Sequence, residues 1–545
     1  MTRLKTVMTS HIRVYLKKNW LPLLLSVLFG GWASAFIYHS SYVASDGRLY
    51  FNLFDDAMIS MRYGWNLAHG RGLVWNAGDV ERVEGYTNLL MTLVMSVATF
   101  LFDKRYAVFA IQLTGIFFTL GTAWMTVRIG ERISKDAESN FGTSDSDLYR
   151  YLPFVLILLY YPLNFWSLMG METGMLAFFL TAGILLSLKY TDSLNRPSSL
   201  ILLMAGSFGL AFLTRNDSLV FAALSFLFLL PTLKHGRRDV YLFLAAGVLY
   251  SAFILGQTAF RYFYYGEIMP NTYTLKLVGM ALDERLRNGW GFILPFLKET
   301  GALLLVALAG LALRFSWKRL YLFGFFLVSV LYQVYVGGDA WNYWRIMAPT
   351  MPLLLLLFSF ACFEIVERFS QTGWIRNFAL AALSIFALYV ADARFVREFL
   401  LLDLPYQNNY AQAHVEAAIA INDLTKEDAT IGVFWGGTLP YYVDRTAIDF
   451  LGKSDKYIAS LPPDVSGQSA GFGMNSMPGH NKYDLTYSIQ QLLPTYVEEF
   501  DWGTQKLSGW AEEYYVRVKY NDAKLYLLKG SPDIDWDKVT TILAW

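Results

Sequence analysis

The sequence predicts a polytopic α-helical membrane protein that carries an extracytoplasmic α/β domain at its C-terminal end. The chain of 545 residues is 55% hydrophobic and only 16% charged, whereas a soluble domain usually carries about 25% charged residues. About eleven segments are apolar enough to be membrane spans. Beyond residue 394 the composition changes: Asp, Asn, Pro and Gly are frequent, and apolar runs are short. Together these observations define the fold class.

The predicted spans are distributed over residues 1–394, the predicted membrane domain. A spanning helix needs about 20 mostly apolar residues, and several of these segments are shorter, which predicts tight packing within a bundle. The spans are Leu21–Phe36, Tyr106–Ile129, Tyr151–Phe165, Gly174–Leu188, Leu200–Leu213, Ser218–Leu230, Val240–Phe260, Gly301–Phe315, Leu320–Val336, Ile346–Val366 and Phe378–Val390.

The distribution of Lys and Arg predicts the orientation of the bundle. The amino-terminal arm is basic and stays in the cytoplasm by the positive-inside rule, so residues 38–105 form the first outer loop. Within that loop, Leu89–Phe102 is only about 14 residues long and is expected to lie at the membrane surface. This topology keeps the basic loops inside, and these are 128–135, 189–196, 234–238, 314–319 and 367–376. The basic residues of the arm are Arg3, Lys5, Arg13, Lys17 and Lys18.

Residues 395–545 form the predicted outer α/β domain. Ala411–Leu424 has helical spacing, Ala429–Trp435 has the composition of a strand, and Tyr514–Tyr520 with Lys524–Lys529 indicates a hairpin. The His480-Asn481-Lys482 cluster is expected to be a solvated loop.

Composition excludes several function classes. The net charge of +1 argues against nucleic acid as a partner, because phosphate binding needs concentrated positive charge. The single cysteine, Cys362, rules out an intrachain disulfide, a Cys-pair redox centre and a Cys-based zinc site.

Polar residues gather in the loops that the topology places outside. Ionisable groups at membrane depth are costly, so this uneven distribution predicts one polar cavity at the outer leaflet. The clusters are Asp55-Asp56 with Arg62, residues 79–88, Glu172, residues 215–217, residues 271–276 and residues 339–345.

The acidic pair Asp55-Asp56 has two interpretations. Two adjacent carboxylates can deprotonate an alcohol and bind sugar hydroxyls or a divalent cation such as Mg²⁺ or Mn²⁺, although the sequence requires no cofactor. Alternatively, one of them caps the following helix. The candidate metal ligands are therefore Asp55 and Asp56.

Polar and aromatic residues of the first loop suit carbohydrate, whose ring faces stack on aromatic rings while its hydroxyls need hydrogen bonds. The plainer interpretation is an ordered surface loop. The candidate substrate-binding residues here are Arg62, Glu81, Glu84, Tyr86 and Asn88, joined by Asn271, Asp339 and Trp341 from later outer loops.

Three cationic residues are candidates for holding a lipid phosphate. Arg345 lies among aromatics at the outer end of a span, where a guanidinium can bind phosphate bidentately. It can equally reach lipid headgroups. Lys276 has the same two interpretations, and so does Arg215, which Asp217 could simply neutralise.

At these residues the sequence resembles the GT-C superfamily of glycosyltransferases. More narrowly, it is similar to bacterial arabinofuranosyltransferases of the mycobacterial terminal β-(1→2) type over nearly the whole chain. The first-loop motif is long and specific, and the other motifs are individually modest. They are DDAMISMRYGWNLAHGRGLVWNAGDVERVEGYTN at 55–88, GMET at 170–173, LTRND at 213–217, YGEIMPNTYTLK at 265–276 and GGDAWNYWRIMAP at 337–349.

The resemblance implies an inverting transfer of a sugar from a polyprenyl-phosphate donor to an acceptor hydroxyl. In the superfamily the first acid of the first-loop pair is the base, here Asp55, and Asp56 would then position the acceptor or a metal. Glu172 falls where the family places a second acidic group, although relatives often have aspartate there. Arg345, Lys276 and Arg215 would hold the donor phosphate. Arabinofuranose is the first expectation for the sugar, since relatives also use mannose, glucose or aminoarabinose.

The expected partners are a polyprenyl-phosphate-linked sugar, a cell-envelope glycan or glycolipid acceptor and the lipid bilayer. The protein is expected to be a multi-pass protein of the inner (cytoplasmic) membrane, with its active site and C-terminal domain on the extracytoplasmic side. The outer domain is expected to bind or orient the acceptor. The alternatives are a non-catalytic relative with a structural or motility-associated role and, less well supported, a transporter, which would place charges or broken helices near the bilayer midplane.

Overall fold

A computed structural model describes residues 19–78, 81–136, 147–369, 373–466 and 474–545. The basic amino-terminal arm used to predict the orientation, Asp79 of the first loop and part of the basic segment 367–376 lie outside these ranges. The described chain has a helical bundle followed by a domain built on a mixed sheet.

The helical bundle occupies the chain from Trp20 to Phe399. Its helices are α1 (Trp20–Ser40), α2 (Asp55–Ala68), α3 (Leu89–Leu101), α4 (Lys104–Asp136), α5 (Asp147–Leu159), α6 (Tyr161–Leu168), α7 (Thr173–Asp192), α8 (Ser198–Thr214), α9 (Leu219–Leu229), α10 (Arg237–Tyr265), α11 (Asn271–Leu277), α12 (Leu282–Glu299), α13 (Gly301–Leu313), α14 (Trp317–Val336), α15 (Met351–Phe369), α16 (Gly373–Asp392) and α17 (Val396–Phe399). A short hairpin of β1 (Tyr42–Val43) and β2 (Leu49–Tyr50) precedes α2.

The bundle has the length and apolarity of a membrane domain. Among the described residues, eight helices are long and apolar enough to cross a bilayer, and two bent pairs of helices raise the number to ten. The predicted span Leu200–Leu213 corresponds to α8, which is shorter than these. α3 is likewise short, as expected for the stretch predicted to lie at the membrane surface. The predicted fold class, a polytopic helical membrane protein with a C-terminal α/β domain, is confirmed.

One predicted span is broken in two. The sequence predicts a continuous helix over Tyr151–Phe165, whereas α5 and α6 meet at an angle of 55°. Pro162 lies in the first turn of α6, where it has no N–H to donate back to the preceding turn. The side-chain amide of Asn164 instead donates to the backbone oxygen of Leu158 at 2.7 Å. After the bend, the loop that follows α6 contacts the start of α2, where the backbone N–H of Phe54 donates to the backbone oxygen of Met169 at 3.0 Å.

A second bend lies before the predicted span at Gly301. α12 is an additional helix that the hydrophobicity pattern did not predict, and it meets α13 at 77°. One face of α12 packs on α14 through Phe292, Ile293 and Phe296, which are buried. Its other face carries exposed charged residues together with the exposed Leu282 and Trp290, so apolarity alone does not identify it.

In its described residues, the C-terminal domain contains a six-stranded mixed sheet with the order β10-β8-β9-β5-β3-β4. β3 pairs with β4 and β5 in parallel, and the other neighbours are antiparallel. The predicted helix, first strand and hairpin are confirmed. The elements are α18 (Asn408–Leu424), β3 (Thr430–Val433), α19 (Thr438–Tyr442), β4 (Thr446–Asp449), α20 (Lys456–Ser460), β5 (Tyr496–Val497), β6 (Asp501–Trp502), β7 (Gln505–Lys506), α21 (Ser508–Tyr514), β8 (Tyr515–Tyr520), β9 (Ala523–Leu528) and β10 (Thr541–Ile542).

The sheet domain sits on the first loop of the bundle. The side chain of Asn76 makes two hydrogen bonds with the backbone of Ala447, at 2.9 and 3.0 Å. The indole N–H of Trp75 donates to the backbone oxygen of Gly436 at 3.1 Å. These contacts pair backbone groups at the rim of the sheet with side chains of the first loop, and therefore fix where the sheet domain lies on the bundle.

Candidate active site

A cavity of about 210 Å³ opens between the sheet domain and the end of the bundle that faces it. We call it cavity 1. Loops from distant parts of the chain form its walls, as the clustering of polar residues predicted. Among the described lining residues, the charged side chains are Asp56, Glu172, Asp217, Asp339, Arg215, Arg345, Lys276 and Lys453. The four acidic and four basic groups balance in formal charge.

Arg345 binds two carboxylates. Its guanidinium donates to both oxygens of Asp339, at 3.1 and 2.8 Å, and to Oδ2 of Asp56 at 2.8 Å. It also lies over the ring of Trp166, 5.7 Å from the centroid. Arg345 thus neutralises and fixes two carboxylates, with most of its donors occupied.

Arg215, which also lines cavity 1, likewise binds two carboxylates. It donates to Oε1 of Glu172 at 2.7 Å and forms a bidentate contact with Asp217. The side-chain amide of Asn88 donates to the other oxygen of Glu172 at 3.1 Å. Asp217 therefore neutralises Arg215, as one of the two interpretations held, and Glu172 shares the same guanidinium.

The two lysines differ from the arginines. Among the described residues, Lys276 has no ion pair, and burial, followed by the nearby Arg345, lowers its pKa below the ordinary value. Lys453 is only 7% exposed, and its Nζ makes no hydrogen bond within the described structure. Its Nζ lies 3.6 Å from Oδ1 of Asp56, an oxygen that is also without a hydrogen bond there. The lysines therefore offer cavity 1 more unoccupied N–H donors than the arginines do.

Asp55 faces away from cavity 1. Its carboxylate accepts backbone hydrogen bonds from Gly437 at 3.2 Å and from Thr438 at 2.7 Å. These donors belong to the sheet domain, so Asp55 is bound across the domain boundary instead of capping its own helix α2. Burial raises the pKa of Asp55, and His414 and the Thr438 N–H offset this rise only in part.

Asp55 lines a second cavity of about 250 Å³, which we call cavity 2. Its walls are largely aromatic, and Tyr410 at its edge is 59% exposed. The lining residues include Phe54, Trp341, Tyr406, Tyr410, Trp435 and His414. His414 contacts Glu498 at 2.9 Å, and although burial lowers the pKa of His414, Glu498 raises it above the ordinary value overall.

Trp341 separates the two cavities. Its indole N–H donates to Oδ2 of Asp56 at 3.1 Å on the side of cavity 1, while its ring lines cavity 2. Asp55 and Asp56 therefore lie at the wall between the two cavities. Asp56 lines cavity 1, and Asp55 lines cavity 2.

Cavity 1 reaches the lateral surface of the bundle. Tyr273 and Leu277 of α11 and Tyr332 and Val336 of α14 line this side. Tyr273 is exposed, as are the nearby apolar residues Ile268, Met269, Val278 and Tyr335. An amphiphilic ligand can thus place its polar group in the cavity while its apolar chain stays in the bilayer.

Several sequence-predicted site residues line the cavities. Cavity 1 contains Asp56, Tyr86, Asn88, Glu172, Arg215, Lys276, Asp339 and Arg345, and cavity 2 contains Asp55 and Trp341. The structure thus brings the first loop, the 215–217 loop and the 271–276 and 339–345 segments together.

Four predicted substrate-binding residues lie elsewhere. Arg62 donates to the backbone oxygens of Pro440 and Arg445, and Asn271 donates to those of Gly452 and Lys453. Both therefore anchor the sheet domain. The other two are engaged in ion pairs, Glu84 with the buried Arg261 and the exposed Glu81 with Lys456.

Three parts of the site, all in the sheet domain, were not predicted from the sequence. These are Lys453, His414 and the Gly436-Gly437-Thr438 segment. The glycine pair was the available signal, because backbone that closely approaches another group often requires glycine. The expected solvated loop at 480–482 is buried instead, and Lys482 donates to the backbone oxygens of Thr274 and Ala459.

The ligand set around the acidic pair does not fit a divalent cation. Within the described residues, no group of three or more His, Cys, Asp or Glu side chains is placed to hold a metal ion. Oδ2 of Asp56 already binds Arg345, and both oxygens of Asp55 bind backbone N–H groups. A site for Mg²⁺ or Mn²⁺ needs several oxygen ligands directed at one point.

Comparison with solved structures identifies the fold. The oligosaccharyltransferase AglB of Archaeoglobus fulgidus, in complex with an inhibitory peptide and a dolichol-phosphate, matches 96% of this chain and 75% of its own, with a TM-score of 0.53 at 11% identity. ArnT of Cupriavidus metallidurans matches 79% of this chain and 86% of its own, with a TM-score of 0.48 at 14% identity. Both are GT-C glycosyltransferases. On the likeness to AglB, the chain has the GT-C fold.

The sequence comparison is more specific. The chain is 27% identical over 357 residues to a terminal β-(1→2)-arabinofuranosyltransferase of Corynebacterium glutamicum. The aligned region covers 59% of this chain. The chain spans about half the length of that relative, 49%. The predicted resemblance to this group is confirmed. Residues 404–527 also match a family described as a domain of unknown function, DUF8728.

The contact between Gly437 and Asp55 leaves no room for a side chain. A Cβ at position 437 would lie 1.9 Å from the backbone oxygen of Asp55. We therefore expect Gly437→Ala to displace the 436–438 segment and to lower the free energy of unfolding by about 1–3 kcal/mol. Thermal unfolding in detergent measures this loss, and hydrogen exchange locates it at residues 429–445.

Gly436→Ala is the matched control. A Cβ at 436 would lie 3.4 Å from Trp75 and 4.0 Å from Ile59, which are ordinary van der Waals distances, so this variant should unfold like the wild type. Equal stability of the two variants would show that the close approach to Asp55 does not hold the domains together.

Proposed function

We propose that the protein is an inverting glycosyltransferase that moves a sugar, arabinofuranose first, from a polyprenyl-phosphate donor to a hydroxyl group of a cell-envelope glycan or glycolipid. The observation that carries the proposal is the composition of cavity 1. Its carboxylates are held by arginines, its lysines have unoccupied N–H donors, and its opening at the side of the bundle is lined by exposed apolar residues. The chain that contains this cavity has the GT-C fold. The similarity to a terminal β-(1→2)-arabinofuranosyltransferase favours arabinofuranose.

The donor phosphate binds in cavity 1, near Lys276. Lys276 is on α11, beside the exposed apolar residues at the lateral opening, and has no carboxylate partner among the described residues. Arg345 and Arg215 bind carboxylates. Their main contribution is therefore to position these acids and to add positive electrostatic potential, and less to donate hydrogen bonds to the phosphate. This arrangement lets the polyprenyl chain remain in the bilayer while its phosphate meets a cation.

The acceptor binds in cavity 2. Its aromatic walls suit the faces of sugar rings, and Asp55 lies at the partition with cavity 1. The acceptor oxygen attacks the anomeric carbon, its proton passes to Asp55, and the bond to phosphate breaks with its electron pair on the phosphate oxygen. The raised pKa of Asp55 suits a proton acceptor better than the lowered pKa of Asp56.

The site faces the extracytoplasmic side in this proposal. The described basic residues of the predicted inner loops lie at the helix ends opposite the cavities, for example Arg132 at the end of α4 and Lys318 at the start of α14. By the positive-inside rule that end is cytoplasmic. The sheet domain and both cavities then lie outside, where cell-envelope acceptors are found.

We expect Asp55→Asn to abolish transfer. The experiment measures arabinose transfer in detergent from synthetic polyprenyl-phosphate arabinose to a short arabinan acceptor. Loss of a general base should lower the rate by about 10²–10⁴-fold. Because Asp55 also binds Gly437 and Thr438, the variant's thermal stability and donor binding are measured beside its rate.

Glu81→Gln is the control for this experiment, because Glu81 is an exposed first-loop carboxylate that lines neither cavity. It should transfer at the wild-type rate. An Asp55→Asn variant that is folded and active within tenfold of wild type would remove Asp55 as the base. A wild-type protein that transfers no sugar from any polyprenyl-phosphate donor would overturn the proposed function.

Tyr410→Ala tests cavity 2 as the acceptor site. Tyr410 is exposed and lines cavity 2 alone, so its removal should raise the KM for the acceptor several-fold and leave the KM for the donor unchanged. Stacking of a ring on a sugar adds affinity mainly through apolar contact. Tyr514→Ala, which changes a partly exposed tyrosine outside both cavities, is the control. A donor-specific effect of Tyr410→Ala would reverse the assignment of the two cavities.

Transfer without a divalent cation is part of the proposal. Because Asp55 and Asp56 bind partners in different cavities, they do not converge on one ion. We expect full transfer after incubation with EDTA and no stimulation by Mg²⁺ or Mn²⁺. Activity that EDTA removes and Mn²⁺ restores, at unchanged thermal stability, would contradict this expectation.

A further inference from the structure

Two buried polar atoms face each other at cavity 1 without hydrogen-bond partners in the described structure. Oδ1 of Asp56 is an acceptor, Nζ of Lys453 is a donor, and they lie 3.6 Å apart. A buried polar group without a partner costs free energy. The separation is longer than a direct hydrogen bond but leaves both atoms free to bind the same ligand group.

The structure holds both atoms in place. Oδ2 of Asp56 is taken by Arg345 and Trp341, which directs Oδ1 away from them. Lys453 follows β4 and the turn glycine Gly452, whose φ is +74°. The side chain of Asn271 binds the backbone oxygens of Gly452 and Lys453, at 2.9 and 3.0 Å. The ligand atoms of the pair are thus pre-positioned by contacts that use neither of them.

The chemistry of the pair selects its ligand. A hydroxyl group donates one hydrogen bond and accepts others, so one hydroxyl can donate to Asp56 and accept from Lys453 at once. A phosphate group could accept from Lys453, but its negative charge would then face the ionised Asp56. Although burial raises the pKa of Asp56, Lys453, Arg345 and Lys276 bring it well below the ordinary value. The pair therefore favours a hydroxyl over a phosphate.

We infer that Asp56 and Lys453 together bind one hydroxyl group of the sugar that is transferred, and so contribute to the choice of donor sugar. This inference rests on the proposed function and deepens it. It also means that the sheet domain completes the donor site, through Lys453, in addition to contributing to the acceptor cavity. Asp56 and Lys453 thereby act as specificity residues, whereas Lys276 serves the phosphate.

Donors that lack one sugar hydroxyl at a time test the inference. The kcat/KM of the wild type should fall about 10- to 100-fold with one of these deoxy donors, because the hydroxyl bonds to two charged groups. Lys453→Met should lose a similar factor with the complete donor. It should lose little more with that same deoxy donor, because the interaction is already absent.

Binding of polyprenyl phosphate without sugar separates a hydroxyl ligand from a phosphate ligand. Lys453→Met should bind this lipid like the wild type, whereas Lys276→Met should bind it more weakly. Lys456→Met is the matched control, because Lys456 is close in sequence but pairs with Glu81 and Glu267 and lines neither cavity. It should behave like the wild type in both measurements.

Each alternative outcome has a definite meaning. Weaker binding of the sugar-free lipid by Lys453→Met would make Lys453 a phosphate ligand and overturn the inference. The inference would also be overturned if the wild type transferred every deoxy donor as well as the complete donor. This measurement does not depend on the folding of a variant, and its result would leave the proposed function unaffected. A wild type that transfers from no donor would defeat the proposed function, and the inference with it.

Discussion

The hydrogen bonds from Gly437 and Thr438 to Asp55 join the sheet domain to the bundle at the wall between the two cavities. The close approach depends on a residue without a side chain at position 437. The same docking brings Lys453 to cavity 1 and His414 to cavity 2. Each cavity therefore has walls from both domains, and neither would keep its lining if the domains separated.

Burial of charge determines what the cationic residues can do. A buried carboxylate must be paired, because an isolated charge in a low-dielectric interior is very costly. Arg345 and Arg215 meet this requirement for Asp56, Asp339, Glu172 and Asp217. Most of their N–H donors bind these acids, so the lysines have more unoccupied donors for a ligand. The sequence predicts the arginines as phosphate ligands because the planar guanidinium can bind phosphate through two N–H groups. The same group allows each arginine to bind two carboxylates.

The sequence predicts those features that depend on local patterns. Spans follow from runs of apolar residues, and the helix, strand and hairpin of the sheet domain follow from short-range periodicity. The roles of Arg62 and Asn271 could not be read in this way, because their partners Pro440 and Gly452 lie far along the chain. Lys453 has no local signal of burial, since its environment is created only by docking. The types of side chain in the outer loops thus predicted where the site lies. Which of these residues line it depends on contacts between distant parts of the chain.

The geometry of a helix explains how two adjacent carboxylates serve two cavities. Successive residues of an α-helix point about 100° apart, and Asp55 and Asp56 begin α2. They therefore cannot readily bind one ligand from the same side, and each finds its own partners: backbone N–H groups for Asp55, a guanidinium and an indole for Asp56. Their environments shift their pKa values in opposite directions. In the proposed reaction, this difference makes Asp55 the proton acceptor and Asp56 a binding group.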